Sequence, residues 1–230
     1  MAKPRQNWDP RAFDRSIWEF LHHATTFGIE PTSRQIEDIR TYITELLRWN
    51  EKINLTSAKG PGEVLMRHVL DSLVPLAQLP GVHRLLDVGP GGGFPGIPIK
   101  IFRPSLSVVL LEARRKKAAF NQYVVDRLGL DGIEVVWARL GDEECDERFG
   151  KAPFDAIITR AVFADPLILI ELADRVLRPG GRILLMKGTM DGRQKEDLRQ
   201  GARKQGRSLV QLLPYRLPGA NRAKNLVLIR

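Results

Sequence analysis

The chain of 230 residues is 43% hydrophobic and carries 36 Lys and Arg against 27 Asp and Glu, a formal charge of +9 with a pI near 10.0. That size suits one α/β core with an appendage, and the charge implies attraction to polyanions, nucleic acid before an anionic membrane surface. No run approaches the ~18 apolar residues of a membrane span, and no apolar stretch follows Met1-Ala2-Lys3-Pro4-Arg5 to make a secretory signal. The lone Cys145 and the scattered His22, His23, His68 and His83 offer neither a disulfide nor metal-ligand spacing, so a cytoplasmic, metal-free protein is expected.

Asp9-Pro10 reads as a cap followed by proline at the first helical position, and Phe13, Ile17, Phe20, Leu21 and Ala24 then recur at helical spacing. A second helix opens at Thr32 with Gln35 completing a capping box, its apolar face running Ile36, Ile39, Ile43, Leu46 and Leu47. A third helix is expected over 64–79, closed by Pro80-Gly81. These make an N-terminal helical segment over 1–80. From Arg84 the pattern alternates, with strand-like runs at 84–88, 107–112, 133–137, 154–159 and 182–187 and helix-compatible stretches such as 116–128 and 166–177. Such alternation predicts an α/β fold with a mainly parallel, doubly wound sheet over 81–230. The last runs, 208–213 and 225–229, are joined through Pro214, Pro218 and Gly219 without room for a crossover helix, so they are expected to pair antiparallel.

The chemistry centres on Leu85-Leu86-Asp87-Val88-Gly89-Pro90-Gly91-Gly92-Gly93-Phe94-Pro95-Gly96, a short strand ending in a carboxylate and a glycine-dense turn. Glycine admits positive φ and lets a ligand approach the main chain. Two registers compete: Gly91-x-Gly93-x-x-Gly96 fits a dinucleotide fingerprint, and Asp87-x-Gly89-x-Gly91-x-Gly93 fits the S-adenosylmethionine loop of methyltransferases. A pyrophosphate needs free N–H groups at a helix start, whereas Pro95 and Pro98 each remove a donor and Asp87 repels an anion. S-adenosyl-L-methionine carries an ammonium and a sulfonium, and an acidic loop suits it. Glu112 ends the second strand run at about the spacing where an acid grips ribose hydroxyls, although a solvated helix-start charge explains it too.

The loop, the basic charge and the helical preface occur with further motifs: Trp49-Asn50-x-x-x-Asn54-Leu55-Thr56-Ser57, Arg67-His68-x-Leu70-Asp71-Ser72, Gly93-Phe94-Pro95-Gly96-Ile97-Pro98, and Thr159-Arg160-Ala161 after Phe154-Asp155. Over roughly residues 30–230 the chain resembles the RsmG (GidB) family of bacterial 16S rRNA (guanine-N7)-methyltransferases. The resemblance implies a class I S-adenosylmethionine-dependent methyltransferase fold, Rossmann-like with an antiparallel final strand pair. It also implies methyl transfer to guanine N7 in the 530 loop, with 16S rRNA or the small ribosomal subunit as partner. It puts cofactor contacts on Gly89, Phe94, Leu140, Gly141 and Arg160. The chain departs from the family at Gly141, where an acid is usual and here only Asp142 follows, at Glu112 in place of Asp, and at Asn221-Arg222-Ala223-Lys224-Asn225-Leu226, which leaves open whether Arg222 or Lys224 is the equivalent cation.

Guanine N7 already has an in-plane lone pair, so no proton-abstracting residue is expected. Alignment of the reactants should dominate, an effect that can supply on the order of 7 to 11 kcal/mol. Substrate-positioning candidates are Arg160, Lys187, Arg67, His68 and Asn54. Arg160 suits either the cofactor or guanine, against a salt bridge to Asp155 or Asp165. Lys187 suits phosphate or O6, against a snorkelling surface lysine. Arg67 suits RNA, against an intrahelical pair with Asp71, and Asn54 suits the active site, against a turn cap. Trp49 reads as core rather than a base-stacking platform. The cations Arg114-Arg115-Lys116-Lys117, and Arg193, Lys195, Arg199, Arg203, Lys204 and Arg207, offer salt-dependent RNA contacts. The competing readings are a nicotinamide-dependent oxidoreductase, a non-catalytic RNA-binding protein, and a methyltransferase acting on another acceptor. A monomer is the default.

Overall fold

A computed structural model describes residues 10–150, 153–160, 166–207 and 210–230. Helices α1 (Pro10–Thr26) and α2 (Ser33–Asn50) open the chain. The expected capping box starts α2: Gln35 N–H donates to Thr32 Oγ1 (3.3 Å) and Thr32 N–H to Gln35 Oε1 (2.9 Å). The Asp9 cap of α1 lies outside the described residues. The third helix begins earlier than expected because Pro61, after Gly60, takes the first helical position, and its winding changes along its length. It runs as α3 (Pro61–Val64), a π turn (Leu65–Val69), α4 (Leu70–Leu73) and a 3₁₀ turn (Val74–Gln78).

Seven strands follow: β1 (Arg84–Val88), β2 (Ser107–Leu111), β3 (Ile133–Val136), β4 (Phe154–Arg160), β5 (Leu177–Lys187), β6 (Val210–Tyr215) and β7 (Lys224–Ile229). The helices between them are α5 (Gly96–Phe102), α6 (Arg115–Leu128), α7 (Glu143–Gly150), α8 (Pro166–Ala173) and α9 (Gly192–Lys204). Strand order is β3-β2-β1-β4-β5-β7-β6, parallel from β3 to β5, with β7 inserted antiparallel between β5 and β6. The antiparallel final pair is therefore present, and its second member is the one seated inside the sheet.

Period-two alternation splits the apolar residues between two faces. Leu85, Ile158 and Leu184 face a core shared with α1, α2, α5 and α6, whereas Leu86, Ile157 and Ile183 face one shared with α7, α8 and α9. The N-terminal helices thus share an apolar core with the sheet.

Some boundaries differ from the sequence reading. The helix expected over 166–177 stops at Ala173, and β5 starts at Leu177 rather than 182, because Pro179-Gly180-Gly181 breaks a helix while an irregular register still lets Leu177 pair with Phe154. Pro214, expected in the turn, lies within β6 opposite Asn225, which an edge strand tolerates. Residues 208 and 209 of the expected strand fall outside the described residues. Among these no helix is long and apolar enough to cross a membrane.

Candidate active site

The parallel register of β1 and β2 sets Val88 beside Leu111, and Gly89 N–H extends the ladder to Leu111 C=O at 2.8 Å. Gly89, Gly91 and Gly93 take φ of 70°, 60° and 95°, the left-handed turns that only glycine adopts without strain. Glu112, buried at the end of β2, accepts from Gly91 N–H (3.0 Å) and Arg114 N–H (2.8 Å). The Phe94–Pro95 peptide is cis. Asp87 is fully buried and accepts from Gly96 N–H at 2.7 Å through Oδ2. A Cβ on Gly96 would stand 2.4 Å from Leu110 Cδ2 and 2.7 Å from that carboxylate oxygen, so glycine is required there for packing.

These hydrogen bonds decide between the two registers. At the start of α5, Gly96 N–H is held by Asp87, Ile97 N–H by Gly93 C=O and Ile99 N–H by Pro95 C=O, and Pro98 has none. None of these helix-start donors is free for a pyrophosphate. The other Asp87 oxygen is buried without a partner, and burial pushes the carboxyl up to about 7, with nearby Glu112 adding to the rise. A cationic ligand relieves this arrangement, and an anionic one worsens it.

The N-terminal helices cover the loop. Tyr42 of α2 donates its hydroxyl to Gly92 C=O, and burial drives its phenol pKa well above the usual value. Phe94, itself buried, packs its ring against Tyr42 (5.3 Å between centroids) and His68 (5.0 Å), and the Arg160 guanidinium lies 5.0 Å from its centre. His68 Nε2 meets Thr56 Oγ1 at 2.8 Å. Burial, reinforced by the Arg160 charge, lowers its pKa to about 4 and keeps the ring neutral.

Arg160 ends β4 beside a buried carboxylate. Asp71, 1% exposed, accepts from Tyr215 Oη (2.8 Å), Lys224 Nζ (3.0 Å) and Arg160 Nη1 (3.4 Å). Burial and the Asp71 charge push the Tyr215 phenol up, so it remains a donor. One carboxylate therefore ties α4, β4, β6 and β7 together and balances two cations at the carboxyl end of the sheet, where ligands of open α/β sheets bind.

The structure brings together Asp87, Gly89, Gly91, Gly93, Phe94, Glu112, His68 and Arg160, and separates others. Arg160 does not pair with Asp155, which accepts from His83 N–H (2.6 Å) and Arg84 N–H (2.8 Å) and pairs with Arg178 at the opposite end of β4. Asp165 lies outside the described residues, as does Ala161. Arg67 pairs with Glu63 rather than Asp71, because the π turn changes the offset between the two sides of the helix and leaves Arg67 exposed. Asn54 is exposed, and Asn50 ties the turn instead, its Oδ1 accepting from Leu55 and Thr56 N–H. Lys187 ends β5 half-buried, opposite Asn225. Leu140 is buried, while Gly141 takes φ 93°, a backbone conformation that an acidic side chain would adopt only with strain, and the flexible end of Leu172 lies 2.9 Å from where its Cβ would sit. Lys224, not the exposed Arg222, faces the cluster. Trp49 is core, its ring against Phe120 and Tyr123.

Sequence reasoning did not single out Tyr42, Tyr215 or the bridging role of Asp71. Tyr42 does sit between Ile39 and Ile43 on the apolar stripe, where a lone hydroxyl signals a buried acceptor. A cavity of about 660 Å³ lies away from the loop, between Phe27, Ile29, Leu73, Phe102, Leu213 and Leu226. Its lining also takes in Glu30, Gln35, Gln78 and Tyr215 but no residue of the glycine loop, and the hydrogen-bonded loop is the better guide to the site. Among the described residues no group of His, Cys, Asp and Glu is arranged to hold a metal.

Comparison with known proteins fits this geometry. Residues 35–216 match the GidB family model, described as rRNA small subunit methyltransferase G. A Ribosomal RNA small subunit methyltransferase G from Geobacter sp. (strain M21) is 36% identical over 206 residues, covering 90% of this chain and 93% of the relative. One from Streptococcus gordonii is 34% identical over 208 residues, covering 88% and 86%. Among solved structures, an O-methyltransferase from Bacillus cereus in complex with SAH superposes with TM-score 0.61 at 19% identity, covering 92% of this chain and 97% of that one. Cofactor-bound Rv0187 from MTB gives 0.58 at 18%, covering 97% and 98%. At these identities the structural likeness speaks for the fold.

Proposed function

We propose, from the premise that this chain belongs to the rRNA small subunit methyltransferase G family, that it methylates guanine N7 in the 530 loop of 16S rRNA. It is an S-adenosylmethionine-dependent rRNA methyltransferase of the class I fold. The observation that carries the cofactor assignment is the loop in which every N–H at the start of α5 is used internally while a buried Asp87 oxygen has no partner.

The residues present fit the cofactor. Gly89, Gly91 and Gly93 allow close main-chain approach, Glu112 keeps lone pairs for ribose hydroxyls, and Asp87 places negative charge behind the loop. Phe94 and Arg160 close one side, and the family resemblance assigns further cofactor contacts to the buried Leu140 and to Gly141. When bound, S-adenosylmethionine supplies a methyl group made electrophilic by its sulfonium. The protein's share is alignment and exclusion of water. His68 is neutral above pH ~5 and hydrogen-bonded to Thr56, so it shapes the site without shuttling a proton. Arg160 and Lys224, held by Asp71, present donors suited to the O6 acceptor of guanine, which leaves the N7 lone pair free to attack. The N7 lone pair needs no base, and because that edge lies inside folded RNA the base must be presented unpaired or flipped. The protein acts in the cytoplasm as a monomer, with 1–80 as a helical cover over a methyltransferase domain spanning 81–230.

The test is transfer of labelled methyl from S-adenosylmethionine to naked 16S rRNA and to small subunits from a strain lacking the modification, followed by chemical cleavage at 7-methylguanine. One cleavage in the 530 loop is expected. Label at another base or atom overturns the positional assignment, and no label on either substrate despite cofactor binding overturns the acceptor.

A further inference from the structure

The cations of this protein differ in how they are balanced. On α9, Arg193 lies 3.8 Å from Asp197 and Arg199 3.8 Å from Glu196, while Lys195, Arg203 and Lys204 have no ion pair among the described residues, and Arg34, Arg40, Arg48 and Arg67 have carboxylates in reach. The run Arg114-Arg115-Lys116-Lys117 makes no ion pair among the described residues, and α6 has no acid in its first turn. Positive charge at a helix start opposes the helix dipole, so folding leaves an unfavourable patch uncompensated.

Beside it stands Trp137, just past β3 and 59% exposed, among the described residues one of three large apolar side chains left open to solvent with Trp18 and Ile168, and the one that adjoins a cationic run. Its indole N–H donates to Ala113 C=O at 3.1 Å, and the Arg115 guanidinium lies 5.4 Å from its ring centre. The ring is therefore held in a fixed attitude while remaining open to solvent. Ala113 adjoins Glu112, and Lys117 Nζ lies 3.9 Å from where a Cβ of Gly91 would sit, so this surface adjoins the glycine loop.

We propose that Trp137 and the unpaired cations at the start of α6 form a docking face for unpaired RNA flanking the target guanine, one base stacking on the Trp137 ring and the phosphates beside it meeting Arg115 and Lys116. The inference rests on the rRNA methyltransferase reading and adds where the substrate lies. A rigid aromatic surface flanked by arginine and lysine matches single-stranded nucleic acid, because every base has a face to stack and every nucleotide a phosphate. A peptide or small acceptor needs neither in this combination.

The test measures RNA KM, its salt dependence and S-adenosylmethionine affinity for the wild type, Trp137→Ala, and the double variant Arg115→Gln/Lys116→Gln, with small subunits lacking the methyl group as substrate. Trp137→Ala is expected to raise RNA KM roughly tenfold or more, with cofactor Kd unchanged. The double variant is expected to flatten the plot of log affinity against log salt by about 0.7 per lost contact, about 1.4 in all. Removing charge that opposes the helix dipole should leave its melting temperature equal or higher, so folding does not obscure the result. Unchanged RNA KM and salt slope in both variants, or a Trp137→Ala effect confined to cofactor Kd, overturns the docking face while the methyltransferase reading stands. A wild type that methylates no RNA overturns the reading on which the inference rests.

Discussion

The two ends of β4 handle buried charge in opposite ways. At its start, Asp155 is satisfied by His83 and Arg84 N–H and by Arg178, all within 3.0 Å. These bonds stitch β1 to β4 and satisfy the carboxylate, while the Arg84 guanidinium rests on the Phe154 ring at 4.4 Å with its Nη1 buried and unpartnered. At its other end, Arg160 leans on Asp71, which it shares with Tyr215 and Lys224, and nearby Asp87 keeps an unpartnered oxygen. Buried polar groups are costly unless satisfied, so a carboxylate fully satisfied at one end and another left incomplete at the other mark which end stabilises the fold and which awaits a ligand. The difference teaches that unspent hydrogen-bonding capacity, more than cavity volume, locates this site.

Removing Asp71 breaks the comparison most severely. Asp71→Ala strands Arg160 and Lys224 beside a buried void, and denaturant titration should show a loss on the order of 3 kcal/mol, the low end for stripping one partner from a buried pair, because both cations retain some water. Methyl transfer should fall about a hundredfold through misplacement of Arg160. Asp71→Asn, which keeps the Tyr215 bond, should recover stability more than rate. Asp155→Ala is the complementary case. It should cost about 1–3 kcal/mol by leaving two N–H groups unsatisfied, and cofactor Kd by calorimetry should not move. Weakened cofactor binding, or a fall in methyl transfer comparable with that of Asp71→Ala, would remove the distinction between the two ends. A smaller effect is expected from Gly141→Glu, which restores the family's usual acid: the positive φ should destabilise by about 1–3 kcal/mol without tightening cofactor binding.

Much of the fold was legible because its signals are local. The change from helical spacing to βα alternation, the Thr32–Gln35 capping box and the glycine turn after Asp87 each lie within a few residues. The cofactor half of the site was legible for the same reason, with Glu112 reaching Gly91 as the nearest thing to a long-range element. The acceptor half was not. Asp71 meets Tyr215 and Lys224 across most of the chain, and only the insertion of β7 between β5 and β6 brings them together. The Arg67–Asp71 pair suggested by spacing assumed regular helix winding, which the π turn between them removes. Trp137 read as the last residue of a strand, and only its position beyond Val136 exposes the ring.

The subtlest contrast concerns pH. Burial holds Asp87 at about 7, above its ordinary value of 3.8, so between those values the folded chain binds more protons than the unfolded one. Stability must then fall as pH rises from about 4 to 7 and level off above. Asp87→Asn keeps an acceptor for Gly96 N–H but cannot ionise, so its melting temperature should exceed that of the wild type by on the order of 10 °C at pH 8 and converge with it near pH 4, at ~2–4 °C per kcal/mol for a chain of this size. His68 acts in the other direction, since a folded pKa of about 4 below the ordinary 6.5 makes stability fall as pH drops through that window. Both proteins contain it, so it cancels in the difference. Cofactor binding should reverse the ranking: ionised Asp87 favours a cationic ligand, so wild-type affinity should rise with pH through 7 while that of Asp87→Asn stays flat and lower. Parallel pH profiles for the two proteins would mean that the unpartnered oxygen takes no part in cofactor binding, and that Asp87 belongs with Asp155 among the groups that only hold the fold.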